Sequence, residues 1–268
     1  MDLELRHLSF SYGDAPVLRD VSFSAGPGEL IAVVGPNGVG KSTMFRCILG
    51  FLRDYEGKVL IDGRDARGMS RKELARRVAY IPQASDQVFD YTVMELVLMG
   101  MASQLPAFAT PGAAEEERAM EVLRELGIDH LAWRGCEQIS GGEYQLVLLA
   151  RTLVQEAKIL IMDEPTANLD YGNQYRVMER IAGLSRRDFI VLVSTHDPNQ
   201  VLLHATRAIA LEDGVVSADG APEDVMSEEL LSRLYGIEVH RKKVQDEGRE
   251  VCVCIPAGLG PEEEGGAR

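Results

Sequence analysis

Three stretches of this chain place chemically capable side chains where a buried strand stops. The first, "GPNGVGKST" at residues 35–43, has the spacing G-x-x-x-x-G-K-[ST] and follows the apolar run "IAVV". Glycines there let successive backbone N–H groups face inward. The start of the next helix adds partial positive charge, so phosphate is held with few side chains. Lys41 is placed to reach the outer phosphates and the Ser42 hydroxyl to ligate a divalent cation. The expected phosphate-binding set is therefore Gly35, Pro36, Asn37, Gly38, Val39, Gly40, Lys41, Ser42 and Thr43. The second stretch, "KILIMDEP" at 158–165, carries two acids at the end of an aliphatic strand. Asp163 is placed to hold the cation, and Glu164 to orient an attacking water or take its proton. The third, "VLVSTHDP" at 191–198, delivers His196 in the same way, as a hydrogen-bond partner for a terminal phosphate. Gln83, just after the strand "VAYIP", is a further candidate for contact with cation or water.

"QISGGEYQ", residues 138–145, is of another kind. Ser140 and Glu143 have the S-x-x-E spacing of a capping box before the helical run 144–153. A cap does not call for two consecutive glycines, which carry a conformational entropy penalty. Gly141 and Gly142 therefore point to a close approach to the backbone.

The elements that must carry these residues follow from period and punctuation. Residues 3–12 and 17–24 alternate polar with apolar, as half-buried strands do. The run 31–35 is continuously apolar, the mark of a parallel strand buried on both faces. A helix over 42–52, a strand over 57–63, a helix opening at Ser70 and a strand over 78–82 come next. Residues 92–155 contain no convincing strand. They hold a cap at Thr92 and Glu95, a loop over 102–111 and a charged helix over 112–127. Strand and helix alternate again from residue 158, and Asp213-Gly214 marks a hairpin. The pattern is an α/β fold: a parallel core sheet, an N-terminal antiparallel β portion and a helical subdomain inserted in the middle. The tail 258–268 reads as disordered.

Composition narrows the function. Lys and Arg number 28 against 42 Asp and Glu, a net charge of −14, which argues against a nucleic-acid partner. No apolar run approaches the roughly 18 residues of a membrane span, and the N-terminus lacks a signal-peptide pattern, so the chain reads as soluble and cytoplasmic. Cys47, Cys136, Cys252 and Cys254 are scattered, like reduced thiols. The pair in "VCVCIP" alternates with valine as a strand does, rather than forming half of a metal site.

In this order, residues 35–43, Gln83, "ISGGE" 139–143, 159–164, "ANLD" 167–170 and His196 resemble the ATP-binding subunit of ABC transporters. The resemblance extends to about residue 240. It implies a P-loop NTPase (RecA-like) core over 1–240, with a helical subdomain over about 86–155 and a C-terminal extension over 241–268. It implies ATP and Mg²⁺ as ligands, with Ser42, Gln83 and Asp163 toward the metal, and Glu164, Gln83 and His196 in catalysis. It also implies that Tyr12 stacks on adenine and that Asp170 acts between subunits. Ser140, Gly141 and Gly142 then bind the γ-phosphate of ATP held by the opposite subunit of a head-to-tail homodimer. Glu143 stands where the family has glutamine and is expected to fold back on its own helix start. "VMELVLMG" 93–100, "LDYGNQ" 169–174, "STHDPNQ" 194–200 and a tail helix over 223–239 are similar to ATPases of importers for iron-siderophores, haem and cobalamin, with a molybdate or tungstate branch nearby. The implied partners are permease subunits docking near residues 84–101 and, indirectly, a substrate-binding protein, which puts the chain at the cytoplasmic face of the membrane. The alternatives are a soluble ABC ATPase, which usually carries two cassettes or a long coiled coil, and an exporter ATPase.

Overall fold

The structure is a computed structural model and describes residues 1–83, 90–106, 109–246 and 248–257. Strands β1 (Leu3–Tyr12) and β2 (Ala15–Ala25) form an antiparallel hairpin. Leu3 and Leu5 and then Leu8 and Phe10 turn inward. The three-residue step from Leu5 to Leu8 is taken up by a register shift, with His7 at φ 51°. Strand β3 (Leu30–Val34) is buried throughout and feeds helix α1 (Lys41–Ile48). Strands β4 (Glu56–Ile61) and β5 (Arg64–Asp65) are joined through Asp62 and Gly63, both left-handed, as a tight two-residue hairpin requires. Helix α2 (Arg71–Ala75), capped by the reciprocal Ser70–Glu73 box, precedes strand β6 (Val78–Ile81).

The middle of the chain supplies helices α3 (Val93–Leu98), α4 (Ala113–Leu126) and α5 (Gly141–Leu153). Strand β7 (Ile159–Asp163), helix α6 (Tyr171–Ser185), strand β8 (Ile190–Ser194), helix α7 (Pro198–His204), and strands β9 (Arg207–Glu212) and β10 (Val215–Gly220) complete the core. Helices α8 (Pro222–Val225) and α9 (Glu228–Tyr235) lead to a C-terminal hairpin of β11 (Val239–Asp246) and β12 (Arg249–Pro256).

The main sheet runs β10-β9-β3-β8-β7-β6, parallel except for β10, and a separate antiparallel sheet runs β2-β1-β4-β5. One face of the main sheet, with Ile31, Val33, Ile161 and Leu192, packs on α1 and the antiparallel sheet. The other face meets α3 to α6 through Leu160, Met162 and Val193. Toward β9, Ala32, Val34 and Ala210 meet α7 to α9 and the final hairpin. Covering both faces explains why β3, β7 and β8 are apolar at nearly every position. All three point their carboxyl ends the same way, where open α/β sheets bind ligands.

Three expectations change. The helix expected over 42–52 ends at Ile48, because Gly50 turns left-handed at φ 68° and breaks it. The tail helix expected over 223–239 is two helices. Met226 leaves helical geometry, Ser227 caps α9 anew, and Gly236 ends it in the left-handed conformation. The strand at "VCVCIP" has a partner, β11, whose charged run Arg241–Lys243 hides its period. The tail 258–268 lies outside the described residues.

Candidate active site

The loop between β3 and α1 shows why it needs glycine. Gly35, Gly38 and Gly40 have φ of 148°, 82° and 113°. A Cβ on Gly35 would lie 2.4 Å from the Leu211 carbonyl oxygen, and one on Gly40 would lie 2.8 Å from Leu18. The chain thus crosses tightly between β2 and β9, with no room for a side chain at either glycine. Lys41 is only 6% exposed, and its Nζ donates to the carbonyls of Gly35 (2.7 Å) and Pro36 (3.0 Å). Burial lowers the Lys41 pKa, and the opposing pull of Glu164 and Asp163 places both carboxylates within electrostatic reach. The first turn of α1, with Ser42 and Thr43, carries no acid that would repel an anion.

Asp163 ends β7, is 5% exposed, and accepts the Ser194 hydroxyl at Oδ1 (2.6 Å). Glu164 follows with a left-handed backbone at φ 48°, a rare state for a residue with a side chain. Its Oε2 lies 3.4 Å from the Gln83 carboxamide nitrogen and 3.6 Å from His196 Nδ1. Gln83, Glu164 and His196, from three different strand ends, therefore face one cleft of about 530 Å³. Its floor is a buried polar chain: Thr166 and Thr195 hydroxyls donate to Gln200 Oε1, and Gln200 donates to Gln174. The sequence assigns no individual role to Ser194, Thr166 or Gln200, although Ser194 and Gln200 bound the stretch 194–200. The available signal was a polar residue ending an otherwise apolar strand, as Ser194 does in "IVLVS".

Tyr12 stands 46% exposed at the end of β1 with its ring edge-on to Phe10 (4.9 Å). The cleft beside the phosphate loop is lined by Pro16, Val17, Asn37, Gly38 and Val39, of which Pro16 and Val17 were not foreseen.

At the start of α5 the Ser140 amide and hydroxyl both donate to Glu143 Oε2 (2.8 Å each), and the Glu143 amide donates back to Ser140 Oγ (3.3 Å). Glu143 folds back as expected. These bonds, the Ser140 amide first, hold its carboxyl below the usual range. The two glycines differ. Gly141 is exposed, with Leu169 at ordinary contact distance, whereas a Cβ on Gly142 would lie 2.5 Å from Asn173 Cγ. Gly142 is therefore small because its own chain's α6 packs there. Asp170 caps α6: its carboxylate takes the Asn173 amide (2.9 Å) and side-chain nitrogen (2.7 Å).

On β12, Cys252 and Cys254 turn into the core, and burial, with Cys252 alongside, pushes the Cys254 thiol up to about 11. They are packing residues. Asn199 on α7 grips Cys254 both ways, donating to its carbonyl (3.3 Å) and accepting its amide (2.8 Å).

Known proteins are similar to this chain in sequence and in fold. The family model described as ABC transporter matches residues 18–167. A Helicobacter pylori protein whose name assigns it to ATP binding in iron chelatin transport is 37% identical over 237 residues, 88% of this chain and 93% of its own. A hemin import ATP-binding protein of Myxococcus xanthus is 35% identical over 268 aligned positions, covering 97% and 99% of the two chains. The solved structure of a metal-chelate type ABC transporter, in an inward-facing conformation, superposes with a TM-score of 0.85 at 29% identity, covering 96% and 98%. By these likenesses the chain belongs to the ABC transporter family as one of its ATP-binding, ATP-hydrolysing subunits.

Proposed function

We propose that this chain energises an importer of a metal chelate, with an iron–siderophore complex as cargo. The observation that carries the hydrolytic part is the convergence of Glu164, Gln83 and His196 beside the loop that holds Lys41. The cargo reading rests on the likeness to subunits named for iron chelatin transport and to a metal-chelate transporter. Haem is the second reading, supported by the hemin import relative that aligns over nearly the full chain.

In this reading Gly35 to Thr43 cradle the phosphates, and Tyr12 takes the adenine with Pro16 and Val17. Lys41 exchanges its two carbonyl partners for β- and γ-phosphate oxygens, a charge-assisted contact water cannot replace. The Ser42 hydroxyl, the Asp163 carboxylate and the Gln83 carboxamide offer hard oxygen donors that suit Mg²⁺. Bound there with ATP, Mg²⁺ neutralises charge on the transferring phosphoryl group. Glu164 orients the water and receives its proton, and His196 meets the γ-phosphate. Ser140, Gly141 and Gly142 complete the site on the opposite subunit of a head-to-tail homodimer, where a helix N-terminus favours an anion. Asp170 then acts between the subunits from the start of α6.

The groove beside α3, mostly apolar and walled by Leu98, Met99, Ala102 and Leu105 with Lys72 and Glu95 at its edge, is where permease subunits dock. Residues 84–89 of the docking segment 84–101 lie outside the described residues. No helix among the described residues is long and apolar enough to cross a membrane, so attachment to the cytoplasmic face runs through the permease, with a substrate-binding protein acting on its far side. The test is ATP hydrolysis by the subunit reconstituted with its permease and binding protein. Stimulation by a ferric siderophore above that by haem, cobalamin or molybdate supports the reading. Equal rates with and without every one of these cargoes would overturn it.

A further inference from the structure

We propose that Ser194 is a positioning residue for hydrolysis, one hydroxyl that sets both acids of the site. The inference rests on the reading that Asp163 and Glu164 serve the metal and the water. Ser194 ends β8, is fully buried, and lies in register with Asp163 at the end of β7. Its Oγ donates to Asp163 Oδ1 at 2.6 Å and accepts the Glu164 amide at 2.9 Å. A serine hydroxyl has one proton, and here it is committed to the aspartate, so one carboxylate oxygen is fixed against rotation. The second bond acts on the backbone. At Glu164 the chain turns left-handed, φ 48°, and its N–H leaves the regular ladder with β8. A left-handed residue with a side chain persists only where its surroundings over-determine it. The Ser194 hydroxyl is the group that receives that N–H and so holds the turn that aims the Glu164 side chain toward Gln83 and His196. Ser194 is also two residues before His196 on the same strand end, so a single side chain ties β8, the strand that leads to His196, to both acids.

An alternative explanation of a polar residue here is simple packing, with the hydroxyl satisfying itself on whatever is near. The two separate it cleanly in Ser194→Ala and Ser194→Thr, since threonine keeps a hydroxyl on the same carbon. Four quantities are read: kcat and KM for ATP, the Mn²⁺ affinity of the complex with a non-hydrolysable ATP analogue, exchange of the Glu164 amide proton by NMR, and the melting temperature. Outer-shell partners of metal ligands typically contribute 10–100-fold, so S194A is expected to lose about 10–100-fold in kcat, with KM for ATP changed little. Mn²⁺ affinity falls by a factor in the same range, the Glu164 amide loses protection, and S194T restores most of each. A folded S194A with wild-type kcat, Mn²⁺ affinity and amide protection overturns the proposal, even if its melting temperature drops. Equal losses in S194A and S194T also overturn it, since the hydroxyl would then not be the active feature. D163N and E164Q, measured alongside, separate the two readings. If both keep full activity, the assignment of the acids fails. If both lose it while S194A does not, only the role of Ser194 fails.

Discussion

Gly142→Ala isolates what a glycine at the start of α5 does within one chain. The new methyl would sit 2.5 Å from Asn173 Cγ, 2.7 Å from Oδ1 and 2.9 Å from Cβ, well inside van der Waals contact. Asn173 cannot swing away freely, because its side-chain nitrogen holds Asp170 at 2.7 Å and its oxygen accepts from Arg176 at 3.3 Å. Overpacking of this kind costs about 1–3 kcal/mol, and giving up the bond to the Asp170 carboxylate adds about 1–2 kcal/mol. Replacing glycine by alanine in a helix returns at most about 1 kcal/mol. The net expectation is a destabilisation of about 1–4 kcal/mol, a fall in melting temperature of roughly 2–16 °C for a chain of this size. Thermal and urea melts of G142A, N173A and G142A/N173A form a double-mutant cycle. Two of the three clashing atoms are absent in N173A, so G142A is expected to cost at least about 1 kcal/mol less in that background. A G142A protein as stable as wild type, or an equal loss in both backgrounds, would refute the packing argument. Hydrolysis by the restored double variant then reads, separately, whether a methyl at 142 obstructs a facing nucleotide.

Glu164→Gln is expected to lower the steady-state ATPase rate about 10²–10⁴-fold while ATP binding persists, as measured by rate assays and calorimetry. If Lys41 holds phosphate as proposed, Lys41→Ala removes two charge-assisted contacts, each worth about 1.5–3 kcal/mol, so nucleotide affinity should drop by two orders of magnitude or more in equilibrium titration. Glu143 has a folded-state pKa lowered by the Ser140 bonds. Its capping contribution, about 1 kcal/mol, is therefore present above the ordinary carboxylate range and lost as pH falls through the lowered value. Glu143→Gln should flatten that acid-side loss in pH-dependent melts. Asn199→Ala strands the Cys254 amide and carbonyl against α7 and should cost about 1–3 kcal/mol, read by urea unfolding.

The placement of loop 35–43, of the two acids and of His196 at strand ends was legible because each depends on local order: a continuous apolar strand, then a defined short segment at its end. Gln83 also proved to lie beside Glu164, though a lone glutamine after a strand carries little information. The parallel core was legible for the same reason, since a strand buried on both faces leaves no polar position to blur the pattern. What was hidden depends on contacts between distant parts of the chain. The clash that excludes a side chain at Gly142 comes from Asn173 on another helix. The pairing of β11 with β12 was masked because Arg241, Lys242 and Lys243 interrupt hydrophobic alternation on an edge strand. The Ser194 bridge is visible only once β7 and β8 are in register.

The central claim is that the start of α5 and the phosphate loop of another copy form one hydrolytic site. Mixing Ser140→Ala subunits with Lys41→Ala subunits tests it most directly. If the site is shared, random pairing makes half the dimers mixed, each with one intact site, and ATPase activity should recover to about a quarter of wild type. If each chain completes its own site, no mixed dimer contains an intact one, and activity no greater than that of the separate variants would contradict the account.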